Sequence, residues 1–228
     1  MAATEWQTRR ATADDIVPVG GVLARAFQED PMWRWALGRE GVEDRRARLE
    51  RFFGAIARIV HARDELTFTA GDASTTTGAS VDPSTGASVA GASVAGASVW
   101  MSPGKWRFSL LDEARMAPSV LAAFGPAGTV RLLQLLGAVE RAHLREPHYY
   151  LFAIGADPAH QGRGVGAALL APMLARCDDE QLPAYLESSN PQNLSFYRRH
   201  GFDDHGDALR FGDGVIVTPM RRAPRRRS

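Results

Sequence analysis

Short apolar runs and amphipathic stretches alternate along the second half of the chain. Residues 149–154 form an apolar and aromatic run that is typical of a buried strand, and the pattern from about Val165 predicts an apolar helix. Residues 182–187 predict a second short strand, which is followed by a helix over residues 191–199 that stops at Gly201.

The first half of the chain predicts a strand followed by helices. Strand Trp6–Arg10 precedes a helix from Thr12 to about Gln28, and a second helical region runs from Asp30 to about Val60. Further strands are predicted at 66–70 and 95–101, and a final hairpin is predicted from 202–204 and 215–220.

Residues 71–99 contain a low-complexity repeat. The tetrapeptide Gly-Ala-Ser-Val occurs four times, starting at positions 78, 86, 91 and 96. Copies five residues apart would present opposite faces of a strand, so they cannot bury one side consistently. We therefore expect residues 71–92 to form a flexible loop within the domain, while the last copy serves as a strand.

Composition limits the class of protein. A chain of 228 residues suits one well-buried domain, and its single cysteine, Cys177, excludes an internal disulfide framework. Because Cys177 ends the helix after residue 165, we expect a buried, unreactive thiol. The first residues lack the basic start and apolar core of a secretory signal, and no apolar run approaches the ~20 residues of a membrane span. These features predict a cytoplasmic protein with no membrane partner.

Basic residues concentrate at the end of the chain. Five arginines lie within residues 221–228, although the formal net charge of the whole chain is only +1. A nucleic-acid-binding protein would place basic residues on a folded face, with aromatic residues between them. We therefore expect residues 221–228 to form an Arg-rich disordered tail after a domain of residues 1–220, and we expect no nucleic-acid partner.

A glycine-rich basic loop, Gln-Gly-Arg-Gly-Val-Gly, joins the strand at 149–154 to the next helix, with glycines at positions 162, 164 and 166. Glycine lets a backbone approach a ligand closely, and the amides of a helix N-terminus bind anions. Arg163 adds a charge that suits phosphate oxygens. The loop lacks the Lys-Ser/Thr pair of a P-loop and the glycine spacing of a Rossmann fold. It predicts a phosphate cradle of another kind, and a ligand-free glycine-rich turn is the alternative.

A second block of residues follows this loop. Asn190 is a good helix cap, Pro191 suits the first helical position, and Tyr197 lies within the helix. Together with the loop, the pattern of Asn190, Tyr197 and Gly201-Phe202 resembles the conserved blocks of the Gcn5-related N-acetyltransferase (GNAT) superfamily. The resemblance is strongest to the puromycin N-acetyltransferase-like branch, and it is close over about residues 146–202.

The resemblance implies a single α/β (α+β) domain with a mixed, mostly antiparallel central sheet flanked by helices. It also implies a helical insertion before the central strand, and residues 107–145 show helical periodicity there. Such an insertion could cover an acceptor pocket or act as a scaffold, and both interpretations stay open.

The resemblance further implies that acetyl-CoA is the donor substrate. The amides after Gly162, with Arg163, would bind the pyrophosphate, and the edge of the central strand would pair with the pantetheine amides. A bulge at Ile154 or its neighbour would present an N–H to the thioester carbonyl. The implied acetyl-CoA-binding residues are Ile154, Gly155, Ala156, Gln161, Gly162, Arg163, Gly164, Val165, Gly166, Ala167, Asn190 and Asn193.

Two residues are candidates for catalysis. Tyr197 occupies the position of the family's general acid, which protonates the leaving thiolate, and its alternative role is packing between helix and sheet. Glu187, at the end of a strand, is the first choice for the base, directly or through water. Its alternative role is that of a strand-end carboxylate bonded to backbone or arginine. Asp30 is a second candidate for the base and is expected to contact the acceptor. No metal is expected.

The expected function is transfer of the acetyl group to a primary amine of a small molecule by direct attack. One alternative is a protein N-terminal or lysine acetyltransferase, which would predict an open groove instead of a pocket closed by residues 107–145. The other is a non-catalytic acyl-CoA-binding module. No motif in the sequence indicates the acceptor or the oligomeric state.

Overall fold

The structure, a computed structural model, describes residues 5–38, 41–64, 66–72 and 94–225. Within these ranges the chain forms strands and helices with four short 3-10 turns between them. The strands are β1 (Trp6–Arg10), β2 (Thr67–Asp72), β3 (Gly96–Met101), β4 (Tyr149–Ala156), β5 (Ala184–Ser188), β6 (Asp203–Asp204), β7 (Leu209–Arg210) and β8 (Ile216–Arg222). The helices are α1 (Ile16–Phe27), α2 (Pro31–Leu37), α3 (Val42–Asp64), α4 (Leu110–Ala142), α5 (Val165–Asp179) and α6 (Leu194–Arg199).

The strands form one sheet in the order β1-β2-β3-β4-β5-β8-β6, and β7 pairs with β8. Only β4 and β5 pair in parallel among the described strands, and every other pair is antiparallel. This arrangement confirms the mixed, mostly antiparallel sheet of a single domain that the resemblance implied.

Each face of the sheet is covered by its own apolar core. Successive residues of a strand point to opposite faces, so Val99 and Tyr150 pack toward α1 and α3, whereas Trp100 and Tyr149 pack toward α5. Helices therefore flank the sheet on both sides, and β4 and β5 are buried in its centre.

The helical region predicted from Asp30 to about Val60 is two helices, not one. The Asp30 carboxylate caps α2 by accepting hydrogen bonds from the amides of Met32 and Trp33 at 3.0 and 3.4 Å. Gly38 ends this helix at a φ of +89°, a left-handed conformation that favours glycine. A new helix, α3, then begins at Val42.

The prediction of a disordered tail is wrong for its first residues. Arg221 and Arg222 belong to β8, and the side chain of Arg222 is buried in a two-bond ion pair with Asp178, at 2.7 and 2.8 Å. The Arg225 amide also donates to Asp178 at 2.8 Å. The acidic partner lies at the end of α5, far away in sequence, so the local composition of the tail could not reveal it. Residues 226–228 lie outside the described residues.

The helical insertion is a single long helix, α4, with a kink in its middle. Gly125 has a φ of +62° and precedes Pro126, so it separates segments 110–124 and 126–142. The helix packs on α2, where a Cβ at Gly128 would approach the Ala36 carbonyl oxygen to 2.9 Å. By length and composition alone, α4 is the one described helix long and apolar enough to cross a membrane, a test that core helices also pass.

The last copy of the repeat forms β3, as predicted. Ala70 of β2 pairs with Gly96 of β3, so the two strands form a hairpin. Residues 73–93 lie outside the described residues, and the loop predicted within 71–92 stays a prediction there. Its first two residues, Gly71 and Asp72, belong to β2.

The single cysteine is buried at the end of α5, as predicted. Burial raises the pKa of the Cys177 thiol to about 12. Because the thiolate is the reactive form, this thiol is unreactive at neutral pH.

Candidate active site

The two central strands pair only at their first residues. Parallel pairing joins Tyr149 to Ala184 and Tyr150 to Tyr185, after which β4 continues to Ala156. The strands therefore diverge toward their carboxyl ends, and one edge of β4 is left without a strand partner. This divergence creates a cleft at the centre of the sheet.

A β-bulge lies in β4 at Phe152. The register against β3 shifts there, so Phe152 has no partner residue. Phe152 and Ala153 consequently pack toward the same core, whereas Ile154 packs toward the other. The bulge expected at Ile154 or its neighbour lies at Phe152, next to Ala153. Its position depends on pairing with β3 and leaves no signal in the sequence of β4.

The amides of Ile154 and Ala156 face the unpaired edge of β4. The Asp157 amide donates to Ala95 beside β3 at 2.8 Å, and backbone amides alternate sides along a strand. On the same edge, the Gln161 side-chain amide donates to the Ala156 carbonyl at 3.3 Å. This edge can therefore pair with the amides of an extended ligand as an added strand would.

The glycine-rich loop presents free amides to the same cleft. Gly162 and Gly164 have φ values of +74° and +89°, which favour glycine, and Gly164 is the N-cap of α5. The Ala168 amide makes the first α-helical hydrogen bond, to Gly164 at 3.0 Å. The amides of residues 165–167 precede it and have no intrahelical acceptor, so they can bind an anion.

Arg163 contributes its backbone to this loop. Its carbonyl accepts a hydrogen bond from the Trp6 indole at 2.6 Å, which fixes the loop to β1. Its exposed side chain does not line the cleft, so contact with phosphate stays a prediction. Basic residues that do line the cleft are Arg25, His160, Arg199 and His200. Sequence reasoning missed Arg25, Arg199 and His200 because they lie on α1 and at the end of α6, outside the glycine-rich segment.

Two glycines are required by close packing around the cleft. A Cβ at Gly155 would lie 2.6 Å from the Cβ of Ala26 on α1, closer than two carbon atoms can approach. A Cβ at Gly166 would lie 3.1 Å from the ring of Phe196 on α6. Glycine at these positions lets α1 and α6 close on the strand and the loop.

The second sequence block forms the opposite wall of the cleft. The Asn190 side chain accepts from the Gln192 amide at 3.0 Å, which confirms its predicted capping role. A 3-10 turn, Pro191–Asn193, then leads into α6, and Asn193 and Tyr197 line the cleft.

Tyr197 is buried close to the carboxylate of Asp30. Burial raises the pKa of its phenol, and the Asp30 carboxylate raises it further. The phenol therefore stays protonated at neutral pH, as a proton donor requires. No hydrogen bond joins its hydroxyl to any of the described residues.

Asp30 lies in the cleft as the cap of α2. Besides the two α2 amides, its carboxylate accepts from the Ser189 hydroxyl at 2.7 Å. Burial raises the pKa of Asp30, and these hydrogen bonds oppose that rise. Through these contacts both oxygens of Asp30 join α2 to the loop after β5.

The cleft has a volume of about 960 Å³. It brings together every predicted acetyl-CoA-binding residue except Arg163, and it also contains Asp30 and Tyr197. The described chain has no cluster of three or more metal-binding side chains.

A second cavity lies on the other face of β4. It measures about 470 Å³ and is lined by residues of α2, α3, α4 and the sheet. Phe152 lines this cavity while Ile154 lines the cleft, and Met32 lines this cavity while Pro31 lines the cleft. The cavity and the cleft therefore adjoin along β4 and the start of α2.

Glu187 lines this second cavity instead of the cleft. Its carboxylate accepts from the Tyr150 hydroxyl at 2.7 Å and contacts His143 Nδ1 at 3.2 Å. Burial, with the charge of Glu187, raises the pKa of the Tyr150 phenol, so this hydroxyl remains a donor. The predicted base is therefore bonded to side chains that lie on β4 and just after α4, not to backbone or arginine.

A pair of histidines lies behind Glu187. His143 Nε2 and His148 Nε2 are 3.0 Å apart, and His148 Nδ1 lies 2.7 Å from the Glu146 carbonyl. A carbonyl accepts, so His148 Nδ1 carries a proton, and burial lowers the pKa of His148 and favours its neutral form. His143 Nε2 must then donate to His148.

Sequence reasoning missed Tyr150, His143 and His148. The histidines stand five residues apart on either side of the turn before β4, which matches no motif. The one available signal was a pair of histidines next to the central strand. Only the pairing of β4 with β5 brings them to Glu187.

A family model and a known relative match parts of this chain in sequence. The family model described as the acetyltransferase (GNAT) family matches residues 96–202. An uncharacterized N-acetyltransferase of Schizosaccharomyces pombe is 41% identical over 59 residues. That match covers 25% of this chain and 24% of the yeast protein, so the chain matches about a quarter of the length of this relative.

Solved structures share the fold over nearly the whole chain. A Corynebacterium glutamicum protein described as a histone acetyltransferase HPA2 and related acetyltransferase is 21% identical, with a TM-score of 0.65 over 98% of both chains. The Drosophila melanogaster polyamine N-acetyltransferase, which forms N-acetylagmatine, is 16% identical, with a TM-score of 0.60 over 96% of this chain and 100% of its own. The Aedes aegypti arylalkylamine N-acetyltransferase 2 is 9% identical, with a TM-score of 0.59 over 97% and 100%. At these identities the likeness shows the fold alone.

Proposed function

Residues 96–202 match the model of the acetyltransferase (GNAT) family, and on that premise we propose that the protein transfers the acetyl group of acetyl-CoA directly to a primary amine of a small molecule. The observation that carries this proposal is the pair of adjoining spaces on either side of β4. One is a polar cleft lined by free amides, and the other is an apolar cavity that has Glu187 in its lining.

The residues of the cleft fit acetyl-CoA. The free amides of residues 165–167 suit a pyrophosphate, and Arg25 adds a positive charge to the same cleft. The edge amides of Ile154 and Ala156 suit the pantetheine arm, which carries amides of its own. Asn190 and Asn193 complete the wall. Acetyl-CoA would supply an activated acetyl thioester at the inner end of this cleft.

The side chains around the two spaces suit direct attack by an amine. Glu187 would accept the proton of the amine as its nitrogen bonds to the thioester carbonyl carbon. An edge amide of β4, with Ile154 as the candidate, would donate to the oxygen that becomes negative. As the carbon–sulfur bond breaks, Tyr197 would give its phenolic proton to the departing sulfur and regain one from solvent.

The size of the cavity favours a small acceptor over a protein, since about 470 Å³ suits a ligand of small-molecule size. Helix α4 forms one wall of this cavity, whereas acetylation of a protein α-amine or lysine would need a longer open groove at this place. The insertion is therefore both scaffold and cavity wall in this proposal. The resemblance to puromycin N-acetyltransferases supports aminonucleosides as the first acceptors to test.

The first test combines binding with turnover. Titration calorimetry with acetyl-CoA tests the cleft, and thiol release with a panel of small amines, beginning with puromycin-like aminonucleosides, tests transfer. We expect both signals. Turnover with peptides alone would indicate a protein acetyltransferase, and binding without turnover on any amine would indicate a non-catalytic acyl-CoA-binding module.

The role of Tyr197 is tested by Tyr197→Phe. We expect kcat to fall about a hundredfold, within the usual range for a lost general acid, while the Kd for acetyl-CoA stays within about twofold. Phe202 packs edge-on against Tyr197 in the same core, so the thermal midpoint controls for lost packing. An unchanged kcat, or a fall in thermal midpoint that accounts for the lost activity, would show that Tyr197 only packs.

A further inference from the structure

The cavity next to Glu187 is lined almost entirely by apolar side chains. Its walls come from aromatic and aliphatic residues of α2, α3, α4 and the sheet. Among the described residues that line it, only Glu113, Thr129, Tyr150 and Glu187 carry a charged, hydroxyl or phenol group. A ligand that fills this space must therefore be apolar over most of its surface, because any polar group would lose its hydration without a partner.

The charged groups that line the cavity are both carboxylates. Glu187 lies at the inner end, with a side chain only 6% exposed, and Glu113 lies on exposed helix α4. No arginine, lysine or histidine lines the cavity within the part of the chain that the structure describes. The cavity therefore disfavours acids and suits a ligand whose one polar end is basic.

The cavity opens along α4 over an apolar rim. Leu121, Leu133 and Leu136 line the cavity and are also 56%, 62% and 47% exposed. They come from both segments of the kinked helix, on either side of Gly125. Exposed leucines beside an apolar cavity are typical of the entrance to a site for an apolar ligand.

We infer that the acceptor is an amphiphilic primary amine, with its amino group at Glu187 and an aromatic or branched apolar body against α4. At about 30 Å³ for each water-sized group, the cavity holds on the order of 15 non-hydrogen atoms. Polyamines and amino alcohols, which carry a second polar group along the chain, are poor acceptors. This inference rests on the proposed function and narrows its substrate class.

The experiment compares amines that differ only in the body attached to the amino group. Thiol release from acetyl-CoA is measured with 4-phenylbutylamine, putrescine and ethanolamine. We expect kcat/KM for 4-phenylbutylamine to exceed those of the two polar amines by at least tenfold, since a buried ring and its methylenes add favourable transfer that the polar amines lack.

A matched pair of substitutions on α4 localises the effect. Val120 is partly buried and lines the cavity, whereas Val130 is 55% exposed and does not. We expect Val120→Arg to lower kcat/KM for 4-phenylbutylamine at least tenfold, with KM for acetyl-CoA within about twofold. Val130→Arg should leave both constants unchanged. Equal activity with putrescine, or equal effects of the two variants, would overturn the inference while leaving the proposed function intact.

A binding measurement separates this inference from the proposed function. If acetyl-CoA binds but no amine releases thiol, the proposed function fails, and calorimetry with 4-phenylbutylamine in the presence of CoA then decides. Binding to the parent protein and Val130→Arg, but not to Val120→Arg, would support an amphiphilic amine as the cavity's ligand. No binding to the parent protein would overturn it.

Discussion

The cleft and the cavity on either side of β4 are built in different ways. The cleft is formed mainly by backbone groups and by glycines that allow close approach, and its residues come from three continuous segments, 25–31, 154–167 and 190–200. The cavity is formed by side chains from helices and strands scattered between residues 32 and 217. Backbone amides can bind the same phosphate in many proteins, whereas a side-chain cavity selects its own ligand. In the proposed function, the cleft is the donor half of the site, and its backbone groups are of a general kind. The cavity is the acceptor half, and its side chains are particular to this chain.

Substitution of Glu187, the proposed base, should have the largest effect. We expect Glu187→Gln to lower kcat about a hundredfold or more at neutral pH, with every acceptor, because proton removal contributes on this scale. The Kd for acetyl-CoA should not change, since Glu187 does not line the cleft. Steady-state kinetics and calorimetry measure the two quantities.

The pH dependence of this loss tests its cause. Alkylamines resemble the lysine side chain, with a pKa of about 10.4, so they reach the enzyme already deprotonated at high pH. The difference between Glu187→Gln and the parent protein should therefore shrink as the pH rises toward 10. Glu113→Gln, which changes the exposed carboxylate of the same cavity, should cost less than about threefold. Equal losses in both variants would argue against a base at Glu187.

The two halves also differ in how far the sequence predicts them. The glycine-rich loop and the Asn190 cap could be located because a helix N-terminus and a cap are local structures, coded by adjacent residues. Glu187 could be chosen only as a strand-end carboxylate. Its partners His143 and Tyr150 come from the turn before β4 and from β4 itself, and the parallel pairing of β4 with β5 brings them close.

Long-range pairing explains the remaining differences as well. The bulge at Phe152 depends on how β3 aligns with β4, and the end of β8 depends on an ion pair between Arg222 and Asp178. Neither partner is near in sequence. The order of strands and helices, in contrast, follows from local patterns of apolar residues, and the structure has that order.

The next largest effect should come from substitution of His143, which contacts the proposed base, Glu187. The ring of His143 stacks on Trp106 at 3.8 Å between centroids, so His143→Phe keeps an aromatic ring there and removes both hydrogen bonds. A hydrogen bond to a charged group contributes about 1.5–3 kcal/mol, so we expect kcat to fall roughly tenfold. As a positioning residue, His143 should also affect the pH profile of kcat/KM.

Two outcomes would contradict this role for His143. One is a loss of activity that follows the fraction of unfolded protein, measured by the thermal midpoint. The other is a fall in kcat with an unchanged pH profile. His143→Gln, which can still donate and accept, should recover part of the rate lost in His143→Phe.

A smaller effect is expected from closing the donor cleft slightly. Gly166→Ala places a Cβ 3.1 Å from the Phe196 ring, and moving that ring would cost about 1 kcal/mol. We expect KM for acetyl-CoA to rise roughly fivefold, equally for every acceptor. Gly54→Ala, in the middle of α3 with open space at its Cβ, is the matched control and should leave KM unchanged. An effect of Gly166→Ala that depends on the acceptor would break the division between donor and acceptor halves.

The smallest effect should come from deleting the repeat between β2 and β3, which is predicted to be a flexible loop without a catalytic role. Ala70 pairs with Gly96, and the Ala95 amide donates to Ala70 at 2.9 Å, so the ends of this segment are already adjacent. Replacing residues 74–92 with a short Asn-Gly turn can therefore close the hairpin without moving either strand. We expect kcat with any acceptor to stay within about twofold.

KM for acetyl-CoA is the most sensitive measurement for this deletion, because the repeat begins where β2 contacts β1. Asp72, at the end of β2, pairs with Trp6, and the Trp6 indole donates to the Arg163 carbonyl in the glycine-rich loop. A deletion that disturbed β2 would act first on this contact, and so would raise KM for acetyl-CoA before it lowered kcat. A large fall in kcat, with an unchanged thermal midpoint and unchanged KM, would instead mean that the repeat takes part in the chemistry, and the division into a donor half and an acceptor half would have to include it.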